Sequence, residues 1–285
     1  MSRAEIWDEV HIGLKNLHQN YANPTDLGLE VANLRRSYRG MKFGSASPDF
    51  FQSGTRDAYA MAYHPGHASS YLHIYLNKGV GDKIVPQKFQ KLKIGVLGAG
   101  CAAETLALIY FLKSKQSQAS QITIGLIDRA DWSQQREHAF FAQLARLDQS
   151  LAPQIETYTC DLLTAPGTNF MKQYINKCDL IICPAVFTEL EAETQSGGKQ
   201  VIQLVIELMN VGAKLLLVDE SDINEFDEYR QRLINDGRVR CITTDHADIA
   251  VPHPPSWLRD IVLNYTDYRI PRTSYRLAWA LLERA

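Results

Sequence analysis

The hydrophobic pattern of the first forty residues is helical. Five apolar residues share one face of a predicted helix over residues 2–20: Ile6, Trp7, Val10, Leu14 and Leu17. Pro24-Thr25-Asp26 supplies turn and cap residues, which predicts a second helix through about Ser37. The chain therefore opens with two amphipathic helices.

Two further helical segments follow an irregular connection. Glycine, serine and proline between Gly40 and Gly54 indicate a break in regular structure. Residues 56–63 and 69–79 then predict helices, with Pro65-Gly66 at their joint because proline interrupts a helix. We expect residues 1–90 to form a helical N-terminal region.

The pattern changes after Lys93, where short apolar runs alternate with longer helical segments. The predicted strands are 93–100, 121–129, 155–163, 178–186, 213–221 and 238–246. The predicted helices are 102–115, 133–149, 167–177, 195–211 and 223–236. Residues 273–285 predict a last strand without a preceding helix. The fold class is therefore α/β: a Rossmann-like, doubly wound, mostly parallel sheet over 91–285, closed by an antiparallel C-terminal strand.

The first of these strands runs into a glycine-rich bend. Gly98, Ala99 and Gly100 stand between the apolar strand and a helix of good helix formers. Glycine permits the tight turn and lets a ligand lie on the backbone, and the helix start adds unpaired N–H groups. Dinucleotide enzymes and other nucleotide-binding folds share this pattern, so it predicts a site without fixing its class.

The second strand ends in Asp128, followed by Arg129 and, further on, Trp132. An acidic residue at this position accepts hydrogen bonds from ribose hydroxyls. Trp132 is placed to lie on an adenine ring. The alternatives are that Asp128 caps the helix near Ser133 and that Trp132 is a packing residue.

The remaining strand ends complete a family pattern. They read Cys160-Asp161-Leu162, then Cys178 through Cys183-Pro184 to Glu189, then Leu217-Val218-Asp219. With the glycine bend and Asp128, this succession resembles the class I S-adenosylmethionine-dependent methyltransferases, and loosely the ribosomal-RNA methyltransferases. The resemblance covers residues 93–285 and is one of pattern.

The resemblance implies a role for each matching position. Gly98, Ala99 and Gly100 would pack on the methionine part of S-adenosylmethionine, and Asp128, with Arg129 beside it, would hold the ribose. Asp161 and Leu162 would meet the adenine, and Cys183 and Pro184 would line the floor below the methyl group. Tyr63 would reach the cofactor if the turn at 64–67 folds over it.

Two positions depart from the family pattern. Val96 stands where an acidic residue is common, and Ala102 stands at the third glycine. Glu104 could replace the missing carboxylate, or it could be an ordinary charge at a helix start.

A methyltransferase of this class needs a group that accepts the proton of its acceptor. The candidates are His64, Tyr63 and Glu189. We predict no metal site, because Pro65-Gly66 breaks the helical geometry between His64 and His67. Cys183-Pro184 does not have the order found in the cytosine C5 enzymes, so Cys183 is not assigned as a nucleophile.

Composition narrows the partners and the compartment. The net charge of −2 gives no global attraction to nucleic acid. A local basic run over residues 35–42, with Tyr38, Phe43 and Phe50 nearby, could hold RNA, or it could be the solvated, charged end of a helix. A small-molecule acceptor is equally open. Five cysteines without a CxxC spacing, no secretory segment and no apolar run of about 20 residues predict a soluble cytoplasmic protein without membrane contact.

Two other functions fit the same residues. One is an NAD(P)-dependent oxidoreductase, which the glycine bend and Asp128 suit. The other is a non-catalytic S-adenosylmethionine-binding or assembly protein, which the valine at position 96 would allow.

Overall fold

The computed structural model describes residues 3–19, 24–42, 47–85, 91–115, 121–146, 153–194, 196–219, 223–235, 237–253, 255–258 and 274–285. The predicted boundary between the helical region and the sheet domain lies between residues 90 and 91. Residues 86–90, on the N-terminal side of this boundary, lie outside the described residues.

Among the described residues of the N-terminal region there are five helices: α1 (Arg3–Gln19), α2 (Pro24–Lys42), α3 (Ser53–Ala62), α4 (His64–Asn77) and α5 (Val80–Ile84). Two predicted boundaries were wrong. The α2 helix continues through Gly40 to Lys42, beyond the predicted end near Ser37. The joint between α3 and α4 is at Tyr63, and Pro65 lies in the first turn of α4. A proline is tolerated there because the first N–H groups of a helix have no intrahelical acceptor.

Seven strands make one sheet: β1 (Lys91–Leu97), β2 (Gln121–Asp128), β3 (Gln154–Thr159), β4 (Leu180–Pro184), β5 (Lys214–Asp219), β6 (Val239–Ala250) and β7 (Ser274–Arg284). The connecting helices are α6 (Ala103–Ser114), α7 (Ser133–Arg136), α8 (Ala142–Leu144), α9 (Ala165–Tyr174), α10 (Val186–Glu193), α11 (Gly197–Leu208) and α12 (Ile223–Asn235). A π-helical turn, Glu137–Phe141, joins α7 to α8. The α10 helix was not predicted, and the single helix expected over 133–149 contains this π turn.

The strand order is β3-β2-β1-β4-β5-β7-β6. The first five strands pair in parallel, whereas β7 is antiparallel to both β5 and β6. The predicted fold, a mostly parallel doubly wound sheet with an antiparallel last strand behind a helical region, is confirmed. The antiparallel β7 between β5 and β6 departs from the order 3-2-1-4-5-6 of dinucleotide-binding sheets.

Each face of the sheet carries its own hydrophobic core. One core contains apolar side chains of α9, α11 and α12. The other contains those of α1 to α6 and of the π turn. On that second face α4 packs against α6, and α1 packs against α4 and the π turn. The N-terminal helices thus extend one layer of the α/β unit and are placed beside the carboxyl ends of β1 and β2.

Among the described helices, none is both long and apolar enough to cross a membrane.

Candidate functional site

A cleft lies at the carboxyl ends of β1, β2 and β4. It has a cavity volume of about 70 Å³. Strand order reverses at β1, since β2 lies on one side and β4 on the other. Such a switch point is where open α/β sheets bind ligands. The lining residues are Phe50, Tyr59, Gly98, Gly100, Asp128, Arg129, Trp132, Cys160, Leu162, Pro184, Ala185, Glu189 and Leu190.

The glycine bend forms one edge of this cleft. Gly98 and Gly100 have φ of 72° and 46°, in the left-handed region that favours glycine. The N–H groups of Gly98 and Ala99 donate to the Ile127 carbonyl at 2.8 and 3.1 Å, which fastens the bend to the end of β2. Ala102, at the third glycine position, also has a left-handed φ of 64°. The backbone there keeps the conformation of a glycine although the residue is alanine.

Asp128 connects the end of β2 to the bend. Its Oδ2 accepts a hydrogen bond from the Gly100 N–H at 2.9 Å, and its Oδ1 accepts one from Ala130 at 3.0 Å. The alternative, that Asp128 caps the helix at Ser133, is wrong, because the Ser133 N–H donates to Asp131. The carboxylate retains lone pairs on the cleft side for further donors.

Three aromatic side chains form one wall of the cleft, and we call Phe50, Tyr59 and Trp132 the aromatic wall. Their ring centroids are 5.4–5.5 Å apart in every pair. Trp132 is buried, and its indole N–H has no hydrogen-bond partner among the described residues. Sequence reasoning placed Trp132 and Phe50 near a ligand but missed Tyr59, whose position depends on how α3 packs on the sheet.

The floor of the cleft lies at β3 and β4. Leu162 and Pro184 line it, as predicted. Asp161 and Cys183 do not line it: Asp161 accepts a hydrogen bond from the Leu163 N–H at 2.9 Å, and Cys183 is buried. Burial raises the pKa of the Cys183 thiol to about 12, so it stays protonated at neutral pH.

Glu189 is the predicted proton acceptor that the structure brings to the cleft. It lies on α10, partly buried, and its Oε1 accepts a hydrogen bond from the Tyr38 hydroxyl at 3.3 Å. Burial, and then the nearby Asp128 and Asp219 carboxylates, raise its pKa from 4.5 to about 7. A carboxyl group with this pKa can take up a proton near neutral pH.

The other two predicted base residues lie away from the cleft lining. His64 is fully buried, and its Nε2 donates to the carbonyl of Ala139 in the π turn at 3.2 Å. Burial lowers the pKa of His64 to about 3, which keeps the ring neutral. Tyr63 is buried too, and it stacks on Tyr59 at 5.4 Å. It therefore supports the aromatic wall from behind.

Two arginines lie on opposite sides of the glycine bend. Arg129 lines the cleft and forms an ion pair with Glu193. Its Cζ lies 5.7 Å from the centroid of the Phe51 ring. Arg136 is buried on the other side, where its Nε donates to the Gly100 carbonyl at 2.8 Å. Nothing in the local sequence indicated Arg136, because its role depends on the path of α7.

Glu104 does not reach the cleft lining. Its carboxyl group is buried at the start of α6 and accepts a hydrogen bond from the Thr105 hydroxyl at 3.0 Å. Burial raises the pKa of Glu104 to about 7. Val96 is buried within β1, so neither side chain supplies a carboxylate to the bend.

The basic run over residues 35–42 lies on α2, beside the cleft. Tyr38 within it contacts Glu189, and Arg36 is exposed and donates to Asn33 at 3.0 Å. The side chain of Lys42 and all of Phe43 lie outside the described residues. Within the described part of the chain, no three His, Cys, Asp or Glu side chains cluster as metal ligands.

No family model matches the chain, and no curated protein matches its sequence. Solved structures match it at low identity. Magnesium protoporphyrin IX methyltransferase from Synechocystis PCC 6803 with bound SAM is 11% identical, with a TM-score of 0.49, over 83% of this chain and 93% of that one. A Listeria monocytogenes protein described as a candidate class I S-adenosylmethionine-dependent methyltransferase is 12% identical, with a TM-score of 0.48, over 99% and 88%.

A Pyrococcus horikoshii protein described as a candidate RNA methyltransferase is 10% identical, with a TM-score of 0.45, over 78% of this chain and 85% of that one. At these identities and TM-scores the matches carry no argument about chemistry. The function of this chain has to be argued from its own cleft.

Proposed function

We propose that this protein binds S-adenosylmethionine in the cleft at β1, β2 and β4 and transfers its methyl group to an acceptor. The observation that carries the proposal is the left-handed bend at Gly98 and Gly100, joined to the acidic end of β2 by the Asp128–Gly100 hydrogen bond. A nucleoside with an attached amino acid needs such a side-chain-free bend next to a carboxylate that accepts ribose hydroxyls.

The residues present fit this cofactor. A Cβ built on Gly100 would be in ordinary contact with Trp132 and Tyr59, at 3.8 and 3.9 Å, so the aromatic wall lies directly against the bend. The unpartnered indole N–H of Trp132 can donate to a ligand. Gly98, Ala99 and Gly100 would hold the amino-acid part, Asp128 the ribose, and Leu162 the adenine. Arg129 and Pro184 would line the rest of the cleft, with Tyr63 behind the aromatic wall and Cys183 buried below the floor.

When bound, the sulfonium supplies an activated methyl group together with its own leaving group. The protein aligns the acceptor atom with the methyl group and keeps water away, for which the aromatic wall is suited. Glu189 takes the proton that an N–H or O–H acceptor loses as the methyl bond forms, with Tyr38 holding its carboxylate. His64 was also predicted as a base, but we do not assign it this role because its ring is enclosed.

The acceptor is RNA or a small molecule. The basic run on α2, with Tyr38 at the mouth of the cleft, favours a phosphate-bearing acceptor. The position of antiparallel β7 disfavours the oxidoreductase alternative. A cytoplasmic location and the two-region division of the chain stay predictions.

Isothermal titration with S-adenosylmethionine, S-adenosylhomocysteine and NAD(H) tests this proposal. We expect binding of the first two and none of the dinucleotide. Binding of NAD(H) alone would replace the proposal with the oxidoreductase. Cofactor binding without methylation of RNA or metabolite pools would instead favour a non-catalytic binding protein.

A further inference from the structure

The N-terminal region contributes to the space above the glycine bend. A Cβ placed on Gly100 would lie 3.8 Å from Cζ2 of Trp132 and 3.9 Å from Cε1 of Tyr59. The two rings meet edge to face, with 69° between their planes. Phe50 packs against both of them. Two of the three rings of the aromatic wall therefore come from outside the sheet domain.

Two carboxyl groups and one arginine line this space. Asp128 lies below it, bonded to the Gly100 N–H, and Glu189 lines the same cleft. Arg129 is the guanidinium in the lining, and its charge is offset by Glu193. Arg136 donates to the Gly100 carbonyl from the buried side and is not part of the lining. Aromatic rings combined with carboxylates form an environment that favours an onium cation.

Tyr59 is held in place from behind. Its hydroxyl is within hydrogen-bond distance of Nδ1 of His67, at 3.2 Å, and its ring stacks on Tyr63. Burial raises the pKa of Tyr59 well above its ordinary value, so the phenol stays neutral. The ring is thus a fixed, uncharged π surface at the cleft.

We propose that Tyr59, together with Trp132, makes the cleft selective for the positively charged sulfonium cofactor over its neutral thioether product. This inference rests on the proposed function. S-adenosylmethionine and S-adenosylhomocysteine differ by one methyl group and one positive charge, so groups that sense the charge decide their relative affinity. Selectivity of this kind would let the product leave in the presence of fresh cofactor.

The test is the ratio of the two dissociation constants, measured by isothermal titration. A matched pair of variants separates the ring from the hydroxyl: Tyr59→Phe keeps the ring and loses the contact to His67, whereas Tyr59→Leu loses the ring. We expect Tyr59→Leu to lower the preference for S-adenosylmethionine by roughly fivefold to thirtyfold. We expect Tyr59→Phe to leave the preference unchanged.

One further pair and one single variant serve as controls. Trp132→Leu against Trp132→Phe repeats the comparison at the second ring if Tyr59→Leu does not fold, as judged by circular dichroism. Tyr158→Leu is the remote control, because Tyr158 packs with Phe170 and Tyr174 outside the cleft lining. In Tyr158→Leu the ratio of the two dissociation constants should equal that of the wild type.

Three results would contradict the proposal. Equal loss of affinity for both ligands in the leucine variants would mean that the aromatic wall packs against the ligand without distinguishing its charge. If the preference for S-adenosylmethionine fell as much in Tyr59→Phe as in Tyr59→Leu, the selectivity would come from the Tyr59 hydroxyl. If the wild type bound neither ligand, the proposed function itself would fail, and this inference with it.

Discussion

The Asp128 carboxylate and the Gly100 backbone N–H form a 2.9 Å hydrogen bond that joins the end of β2 to the glycine bend after β1. The same carboxylate also accepts from Ala130, so one side chain fixes two backbone segments beside the cleft. Removing it should therefore affect both the shape of the bend and any ribose that it holds.

We expect Asp128→Ala to weaken S-adenosylmethionine binding by roughly tenfold to a hundredfold, because hydrogen bonds to a charged group contribute about 1.5–3 kcal/mol. The protein should stay folded, and isothermal titration measures the loss. The matched control is Asp179→Ala. Asp179 accepts a hydrogen bond from the Lys93 N–H at 2.8 Å near the start of β1, at the opposite edge of the sheet. If both variants lowered affinity equally, the effect would be one of general stability.

Gly100→Ala should abolish cofactor binding while leaving the fold intact. The added Cβ meets Trp132 and Tyr59 at ordinary contact distance, and it adds a methyl group to the lining of the proposed cofactor cleft. The left-handed φ also costs about 1 kcal/mol in stability. Gly212→Ala is the control, since Gly212 has a φ of 83° and no atom within 4 Å of its added Cβ. It should show the stability loss in thermal melts and retain full affinity. Unchanged affinity in Gly100→Ala would place the ligand elsewhere.

The parts of the site that follow from local pattern were predictable, and those that depend on helix packing were not. Gly98, Gly100 and Asp128 come at strand ends, where the alternation of strand and helix already indicates a ligand edge. Tyr59 is different, because it meets Gly100 only once α3 has docked on the sheet. No periodicity in the sequence specifies that docking.

The same distinction explains His64 and Glu189, two of the three residues predicted as proton acceptors. Side-chain chemistry suggested both, and burial separates them. His64 is the first residue of α4, and its buried ring faces the π turn, where its Nε2 donates to the carbonyl of Ala139. Glu189 follows β4 at the open edge of the sheet. The amino-acid sequence shows which residues can ionise, but it does not show which of them lie close enough to contact a ligand.

Glu104→Gln should reduce the loss of stability as the pH rises from 5 to 8. Burial raises the folded-state pKa of Glu104 from 4.5 to about 7, so the folded protein retains a proton that the unfolded chain releases. Stability from this group is present below pH 4.5 and is lost as the pH rises to about 7. Between pH 5 and 8 the free energy of unfolding of the wild type should fall by about 2–3 kcal/mol more than that of the variant.

Urea denaturation at several pH values measures this difference. Glu137→Gln is a suitable control, because it removes a carboxyl group from the exposed side of the π turn. Parallel pH profiles for the wild type and Glu104→Gln would show that the Glu104 carboxyl is ionised in the folded protein.

His64→Gln should make the protein more resistant to acid. Burial lowers the folded-state pKa of His64 to about 3, below its ordinary 6.5, so the unfolded chain binds the proton first. The stability from this group is complete above pH 6.5 and falls with decreasing pH, by about 1.4 kcal/mol per pH unit until about pH 3. A glutamine amide can still donate to the Ala139 carbonyl but does not titrate. The slope of unfolding free energy against pH between 4 and 6 should therefore be smaller in the variant, and an identical slope would mean that His64 is already protonated in the folded state.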